Sequence, residues 1–216
     1  MPFDLDQFLA VFVAYNQAIW PLQVVTYLVG LAICALLFRP SRWADASILS
    51  LLATMWGVNA VGYHMIYFAA INPAARLFGA IFLVEVLLLV VWAFREREEP
   101  IFHPRRGIAT GAGVVMIGYA LVGYPLLGAL MGHRYPAVPV FGVAPCPTTI
   151  FTIGVLVLGQ WRSTRWLLII PVLWSALGGS AAILLNVPQD FGLIAAGLAV
   201  ILIAMARRRQ SNLIAG

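Results

Sequence analysis

Residues 75–94, ARLFGAIFLVEVLLLVVWAF, decide the fold class of this chain. Arg76 and Glu85 are the only charged residues in this run of 20. A helix of that length is about 30 Å long, which matches the hydrocarbon core of a membrane. Of all 216 residues, 62% are hydrophobic and 10% are charged, whereas soluble domains contain about 25% charged residues. The sequence therefore predicts an all-α polytopic transmembrane helical bundle, and because no long hydrophilic stretch interrupts it, residues 1–216 form a single membrane-embedded domain.

Apolar runs of the length that a spanning helix needs recur along the chain. One of them has only 14 residues and would make a short fifth helix. About seven spans are predicted, at 19–38, 46–70, 75–94, 107–131, 148–161, 165–186 and 190–206. Residues 3–18 precede the first span and predict an interfacial helix with Asp4 as its N-cap. The alternative is that they lengthen the first span, with a kink at Pro21.

The charged residues exclude several functions. The chain has 13 basic residues, all of them arginines, and eight acidic residues. Without a lysine amine the chain cannot form a Schiff base with retinal or pyridoxal phosphate, while other cofactors stay open. The arginines lie between apolar runs and do not form one basic face, so we expect no nucleic-acid partner. The expected partner is the lipid bilayer. The sequence also permits binding to a second copy of the chain or to another membrane subunit.

The distribution of arginines also predicts the orientation in the membrane. If the N-terminus lies outside, 11 arginines fall in cytoplasmic segments and only Arg76 and Arg134 fall outside. This asymmetry follows the positive-inside rule and places the C-terminus in the cytoplasm. The cytoplasmic set consists of Arg39, Arg42, Arg95, Arg97, Arg105, Arg106, Arg162, Arg165, Arg207, Arg208 and Arg209.

Glu85 is the one ionisable residue at the centre of a predicted span. Such a residue costs at least about 2.5 kcal/mol to insert and therefore marks a candidate proton or ion site. Asn59 and Tyr119 lie at a similar depth on their own spans, so we expect one of them, rather than His64, to be its partner. The alternative is that a neutral Glu85 merely forms hydrogen bonds between helices.

A second group of polar residues belongs to the span at 46–70. At 100° per residue, Trp56, Asn59, Tyr63 and Tyr67 share one face, which should point inward, and His64 lies at its edge. The sequence therefore predicts that Asn59 and Tyr63 contribute to a polar site with Glu85.

The stretch HRYPAVPVFGVAPCPTTIFT, residues 133–152, contains four prolines but is otherwise largely apolar. Proline prevents a regular helix, and irregular backbone at membrane depth must pack inside protein. We expect a re-entrant loop or lid on the outer side that leads into the short fifth helix near Thr148. Thr149 and Thr152 would then lie near a helix N-terminus that attracts ligands.

Cys146 in the same stretch suggests a second kind of site. Together with His133 and His64 it could hold a soft metal ion. The alternative is that the thiol packs between prolines as a small apolar group.

Four stretches of the sequence also resemble an uncharacterised bacterial family of polytopic membrane proteins, a domain of unknown function. They are GYHMIYFAAINPAARLFGA (62–80), YALVGYPLLGALMGHRYP (119–136), PCPTTIFTIG (145–154) and IPVLWSALGGSAAILLNVPQD (170–190). The resemblance implies a bacterial membrane location and about seven spans, and we expect this membrane to be the cytoplasmic (inner) membrane. It implies no activity and no catalytic residues.

Three functions are compatible with these patterns. The favoured one is a transporter or channel for a small molecule or ion, or a ligand-binding bundle, with a polar site from mid-depth to the outer half. The alternatives are an accessory subunit of a membrane complex, and a metal- or thiol-handling protein or enzyme that uses Cys146 and the histidines. The usual catalytic motifs, such as HExxH, GxSxG and CxxC, do not occur in the sequence, which makes an enzyme the weaker expectation.

Overall fold

The computed structural model describes residues 3–96, 98–103 and 107–215. Within these ranges every regular element is a helix and there is no strand, which confirms the all-α prediction. The predicted cytoplasmic residues Arg97, Arg105 and Arg106 lie outside the described ranges.

The helices follow the chain from α1 to α11. The first part contains α1 (Leu5–Ala18), α2 (Leu22–Leu36), α3 (Arg42–Val58) and α4 (Ala75–Phe94). The second part contains α5 (Ile108–Gly118), α6 (Tyr124–Leu130), α7 (Pro145–Leu158), α8 (Trp161–Thr164), α9 (Ile169–Leu177), α10 (Ser180–Leu184) and α11 (Phe191–Ala215). π-Helical segments continue α3 over Asn59–Tyr67 and join α5 to α6 over Tyr119–Gly123, and short 3₁₀ turns cover Phe68–Ala70 and Pro188–Asp190.

Four helices in the described chain are long and apolar enough to cross a membrane. They are Arg42–Ala70, Ala75–Phe94, Ile108–Leu130 and Pro188–Arg209, and they match four of the predicted spans. Helices α1 and α2 form a fifth candidate only as a pair, and that pair is bent by 86°. The outward side of α4 is apolar, with Leu87 64% exposed, as expected for a surface that faces lipid.

The predicted span at 165–186 is shorter in the structure. It contains α9 and α10, and the turn at Gly178 and Gly179 separates these two helices. The apolar helical part runs from Ile169 to Leu184, so the prediction of a helix over the whole of 165–186 is too long. Two neighbouring glycines weaken a helix because each of them disfavours helical backbone by about 1 kcal/mol relative to alanine.

Helix α1 turns sharply away from α2, as an interfacial helix would. Asp4 forms the predicted N-cap: its carboxylate accepts a hydrogen bond from the backbone N–H of Gln7 at 2.8 Å, and the Gln7 side chain accepts one from the Asp4 N–H. The inner face of α1 packs on the end of α3, where Phe12 stacks on Tyr63 with 5.0 Å between ring centroids. Aromatic packing thus fixes α1 against the bundle.

Helix α7 lies where the sequence predicts a short fifth span, and with 14 residues it is too short to count among the candidate membrane spans. It begins at Pro145, three residues before the expected start, and all its residues from Pro145 to Leu158 are buried. Its closest neighbour is α5, where a Cβ atom on Gly154 would lie 2.8 Å from the carbonyl oxygen of Gly113. A helix enclosed by protein on every side does not have to match the thickness of the bilayer.

The proline-rich segment before α7 packs inside the bundle, as expected. Its apolar side chains Val138, Phe141 and Val143 are buried. Its backbone carbonyl groups accept hydrogen bonds from other elements: Asn16 Nδ2 donates to the oxygens of Pro136 and Val138, both at 2.8 Å. Side chains thereby satisfy backbone groups that a regular helix would otherwise pair.

We expect Asn16→Asp to lower the free energy of unfolding by about 2 kcal/mol, because it replaces the amide donor with an oxygen that faces two carbonyl groups. The thermal unfolding midpoint in a fixed detergent measures the change. Asn72→Asp is the matched control, since Asn72 uses its side-chain oxygen as an acceptor from the Ala74 N–H, which aspartate retains. Equal effects of the two substitutions would contradict this role of Asn16.

Six of the predicted cytoplasmic arginines line adjoining surface depressions at one end of the bundle. Arg42 and Arg95 line one surface depression, Arg95 and Arg162 line a second, and Arg162 shares a third with Arg207. Tryptophans lie among them: the Arg165 guanidinium is 4.9 Å from the Trp166 ring and that of Arg207 is 5.4 Å from the Trp161 ring. Arginine and tryptophan at one level are typical of a membrane interface.

Candidate functional site

A cavity of about 150 Å³ lies between α1, the end of α3, α4 and α9. Seven aromatic rings line most of it: Phe3, Phe8, Phe12, Tyr63, Phe68, Phe78 and Trp174. Its polar lining comes from Asn72, Cys146 and Ser180. We call this space the aromatic cavity.

The π-helical segment of α3 shapes one wall of the aromatic cavity. It buries both Tyr63 and His64, although they are neighbours in sequence. In a regular α-helix, neighbouring side chains diverge by 100°, so they rarely face the same interior. π-Helical segments occur frequently at functional sites.

A hydrogen-bond donor in the wall of the cavity has only a weak acceptor. Trp174 is 93% buried, and its Nε1–H has no oxygen or nitrogen acceptor within the described residues; it interacts with the Cys146 sulfur, which is a weak acceptor. A buried donor that lacks a good acceptor costs up to about 1–3 kcal/mol. A ligand in the cavity that offers an acceptor atom could recover part of that cost.

Cys146 connects the cavity to a buried carboxylate. The thiol lines the cavity and lies near Asp190. Asp190 is wholly buried, and its Oδ1 accepts a hydrogen bond from the Tyr124 hydroxyl at 2.6 Å. The Cys146 thiol is the other described side chain that interacts with this carboxylate, and Oδ2 accepts no further hydrogen bond among the described residues.

Glu85 and His64 are wholly buried, and none of their polar side-chain atoms has a hydrogen-bond partner in the described part of the chain. The expectation that Asn59 or Tyr119 pairs with Glu85 is therefore wrong. His64 faces aromatic rings instead, with Phe82 at 4.7 Å and Trp174 at 5.0 Å between centroids. Depth along parallel helices was a poor guide to contact, because it carries no information on the direction in which a side chain points.

Several of the other residues proposed with Glu85 form hydrogen bonds inside the bundle. Asn59 Nδ2 donates to the carbonyl oxygens of Met55 at 2.8 Å and Gly142 at 3.1 Å. Thr152 accepts a hydrogen bond from Trp56 Nε1 at 3.0 Å, and the Tyr119 hydroxyl donates to the Gln189 carbonyl oxygen at 2.7 Å. Of this group, Tyr63 alone lines the aromatic cavity, as a wall residue.

Thr149 differs from these residues. It is wholly buried, and its hydroxyl group has no hydrogen-bond partner within the described ranges. Its position in the first turns of α7 agrees with the predicted location, but it does not line the aromatic cavity.

The three residues suggested for a metal site do not form one cluster. In the part of the chain that is described, no group of three or more His, Cys, Asp or Glu side chains could hold a metal ion. His133 interacts with Gln189, whose Nε2 lies 3.1 Å from its Nδ1. His64 is enclosed by rings, and Cys146 lies near Asp190.

Sequence reasoning missed Trp174, Asp190, Tyr124 and the phenylalanines of α1. Asp190 could have been recognised from the sequence as a candidate site residue, because it is an acidic residue at the start of an apolar run. The phenylalanines did not, because they reach the cavity only through the 86° bend between α1 and α2.

The chain has been compared with known protein families, curated proteins and solved structures. No curated protein and no solved structure matches it. One family model matches residues 5–215, which is nearly the whole chain. The protein therefore belongs to the family of unknown function DUF6064.

Proposed function

We propose that this protein is a multi-pass protein of the bacterial cytoplasmic membrane that binds a small, mainly apolar molecule in the aromatic cavity, as a transporter or ligand-binding bundle. The observation that carries the proposal is the cavity itself, lined by seven aromatic rings, where the Trp174 Nε1–H has no oxygen or nitrogen acceptor within the described residues. Ligand sites are commonly apolar spaces with a few polar groups that fix orientation.

The size and lining of the cavity define the ligand class. A cavity of about 150 Å³ accepts a molecule of the size of benzene, and aromatic walls favour flat or aliphatic groups. Trp174 Nε1 would donate to one oxygen or nitrogen acceptor. We therefore infer a neutral molecule of roughly six to ten non-hydrogen atoms with one acceptor.

The proposed orientation places the cavity in the outer half of the membrane. Its lining residues Asn72 and Pro139 belong to loops that are predicted to be external, whereas the arginines gather at the other ends of the helices. Seven membrane segments, with α1 in the interface, remain part of this proposal. The bend between α1 and α2 and the complete burial of α7 support it.

Transport of a proton or cation is a second candidate function. Glu85 favours it, because a buried acid near the middle of an apolar 20-residue helix has no hydrogen-bond partner within the described residues. Ionisable groups at such positions frequently belong to ion pathways and proton relays.

Acetophenone and ethylbenzene test the binding proposal, because they have similar shapes and only acetophenone has an acceptor. In a Cys34→Ser background, we expect acetophenone to slow alkylation of Cys146 by N-ethylmaleimide at about fivefold lower concentration than ethylbenzene, since one net hydrogen bond contributes about 1 kcal/mol. Mass spectrometry of the modified protein measures the rate.

Trp174→Phe should remove the difference between the two probes and leave the cavity aromatic. Ser180→Phe, which fills part of the cavity, should reduce protection by both. The proposal fails if neither probe protects Cys146, or if Ser180→Phe leaves protection unchanged.

A further inference from the structure

A groove of about 1280 Å³ lies at the arginine-rich end of the bundle, remote from the aromatic cavity. It runs between the start of α5, the end of α7, α8 and the last turns of α11. Arg162, Arg165, Arg207 and Arg208 line it, and we call it the basic groove.

The charge in the basic groove is strongly positive. Among the described residues, the lining contains four guanidinium groups but only one carboxylate, that of Glu99. Glu99 accepts a hydrogen bond from Gln160 Nε2 at 3.2 Å. His103 also lines the groove, and one of its ring nitrogens lies 3.4 Å from Gln160 Nε2. The Trp161 ring lies against Arg207 and keeps that guanidinium at the wall. The groove is thus suited to an anion.

Part of the wall of the basic groove is apolar. It consists of Val157 and Leu158 on α7, Ile203 and Ala204 on α11, and the exposed Ile108 on α5. A small water-soluble anion would gain nothing from such walls, whereas an acyl chain would bury apolar area against them. The groove therefore combines the two recognition elements of a lipid with an anionic headgroup.

We propose that the basic groove binds an anionic phospholipid, with its phosphate among the arginines and part of an acyl chain on the apolar wall. Arginine-rich pockets between helices at the cytoplasmic face are suited to anionic headgroups. This site is separate from the aromatic cavity and does not depend on what that cavity binds.

Titration of the delipidated full-length protein with phosphatidylglycerol and phosphatidylcholine, followed by native mass spectrometry, tests the proposal. We expect wild type to bind phosphatidylglycerol at least about tenfold more tightly, because arginines near a headgroup favour a lipid with net negative charge. Arg162→Gln combined with Arg207→Gln should abolish the preference. Both side chains are exposed, so the fold should tolerate the change, and the thermal midpoint checks this.

Two further variants separate a lipid site from general attraction. Arg39→Gln removes an exposed charge near the same end but away from the groove, and it should keep the preference. Ala204→Trp fills the apolar wall without changing charge, and it should weaken phosphatidylglycerol binding severalfold. The proposal is overturned if wild type shows no preference, or if Arg39→Gln abolishes it equally. It is also overturned if Ala204→Trp has no effect while inorganic phosphate displaces the lipid, which would indicate a site for free phosphate.

Discussion

Replacing Gly142 with alanine should lower the free energy of unfolding by about 2–5 kcal/mol, the largest effect that we expect of a single methyl group in this chain. Gly142 has a φ of +80°, a conformation that costs an L-residue about 1–2 kcal/mol. A Cβ atom there would also lie 2.7 Å from Thr26 Oγ1. Overpacking a buried site costs about 1–3 kcal/mol more.

Thr26 cannot easily move away from the added methyl group. Its hydroxyl lies 2.9 Å from the carbonyl oxygen of Phe141, the residue next to Gly142, and this contact holds the proline-rich segment on α2. The carbonyl group of Gly142 is itself an acceptor for Asn59. A shift of this segment would therefore disturb contacts with both α2 and α3.

Gly132→Ala is the matched control for Gly142→Ala. Gly132 has a φ of +88°, but a Cβ atom there would meet nothing within 4 Å. It should therefore show only the backbone cost of about 1–2 kcal/mol. Thermal midpoints of both variants in one detergent measure the difference. If Gly132→Ala is as destabilising as Gly142→Ala, close packing against Thr26 is not the cause.

The sequence predicted the long helices well because lipid exposure acts on each residue separately. The outward faces of α3, α4, α5 and α11 have to be apolar whatever they pack against, so hydropathy and length locate them. The same reasoning predicted that the apolar segment before Pro145 packs inside the bundle. It could not predict that α7 is buried along its whole length, since that depends on which helices surround it.

The candidate site was harder to predict because it depends on the directions of side chains. A face calculated at 100° per residue placed His64 at the edge of the inward side of its span, but the π-helical segment from Asn59 to Tyr67 buries it completely. Hydrogen bonds in a π-helix join residues five apart, so the face shifts relative to an α-helix. The contacts that the bend between α1 and α2 brings about join residues far apart in the sequence, so no local sequence pattern predicts them.

Glu85→Met should raise the free energy of unfolding by about 2–3 kcal/mol, which is unusual for a substitution in the interior. The Glu85 side chain is wholly buried, and neither carboxyl oxygen has a hydrogen-bond partner within the described residues. Insertion of an acidic residue at the centre of a span costs about 2.5–3.5 kcal/mol, whereas methionine is apolar, flexible and similar in length. Glu96→Met, at the exposed end of α4, should change stability by less than 0.5 kcal/mol, as expected of a surface substitution (about ±0.5 kcal/mol).

The sign of this change distinguishes the two interpretations of Glu85. If the acid only forms hydrogen bonds between helices, Glu85→Met removes them and destabilises the protein by about 1–3 kcal/mol. If the acid is retained for a proton or cation, Glu85→Met stabilises the fold and Glu85→Gln leaves the fold intact. Both variants then abolish proton or cation flux in proteoliposomes that contain a pH-sensitive or cation-sensitive dye. A buried acid whose replacement by methionine stabilises the fold would be best explained by function, because proteins tolerate such costs mainly at functional sites.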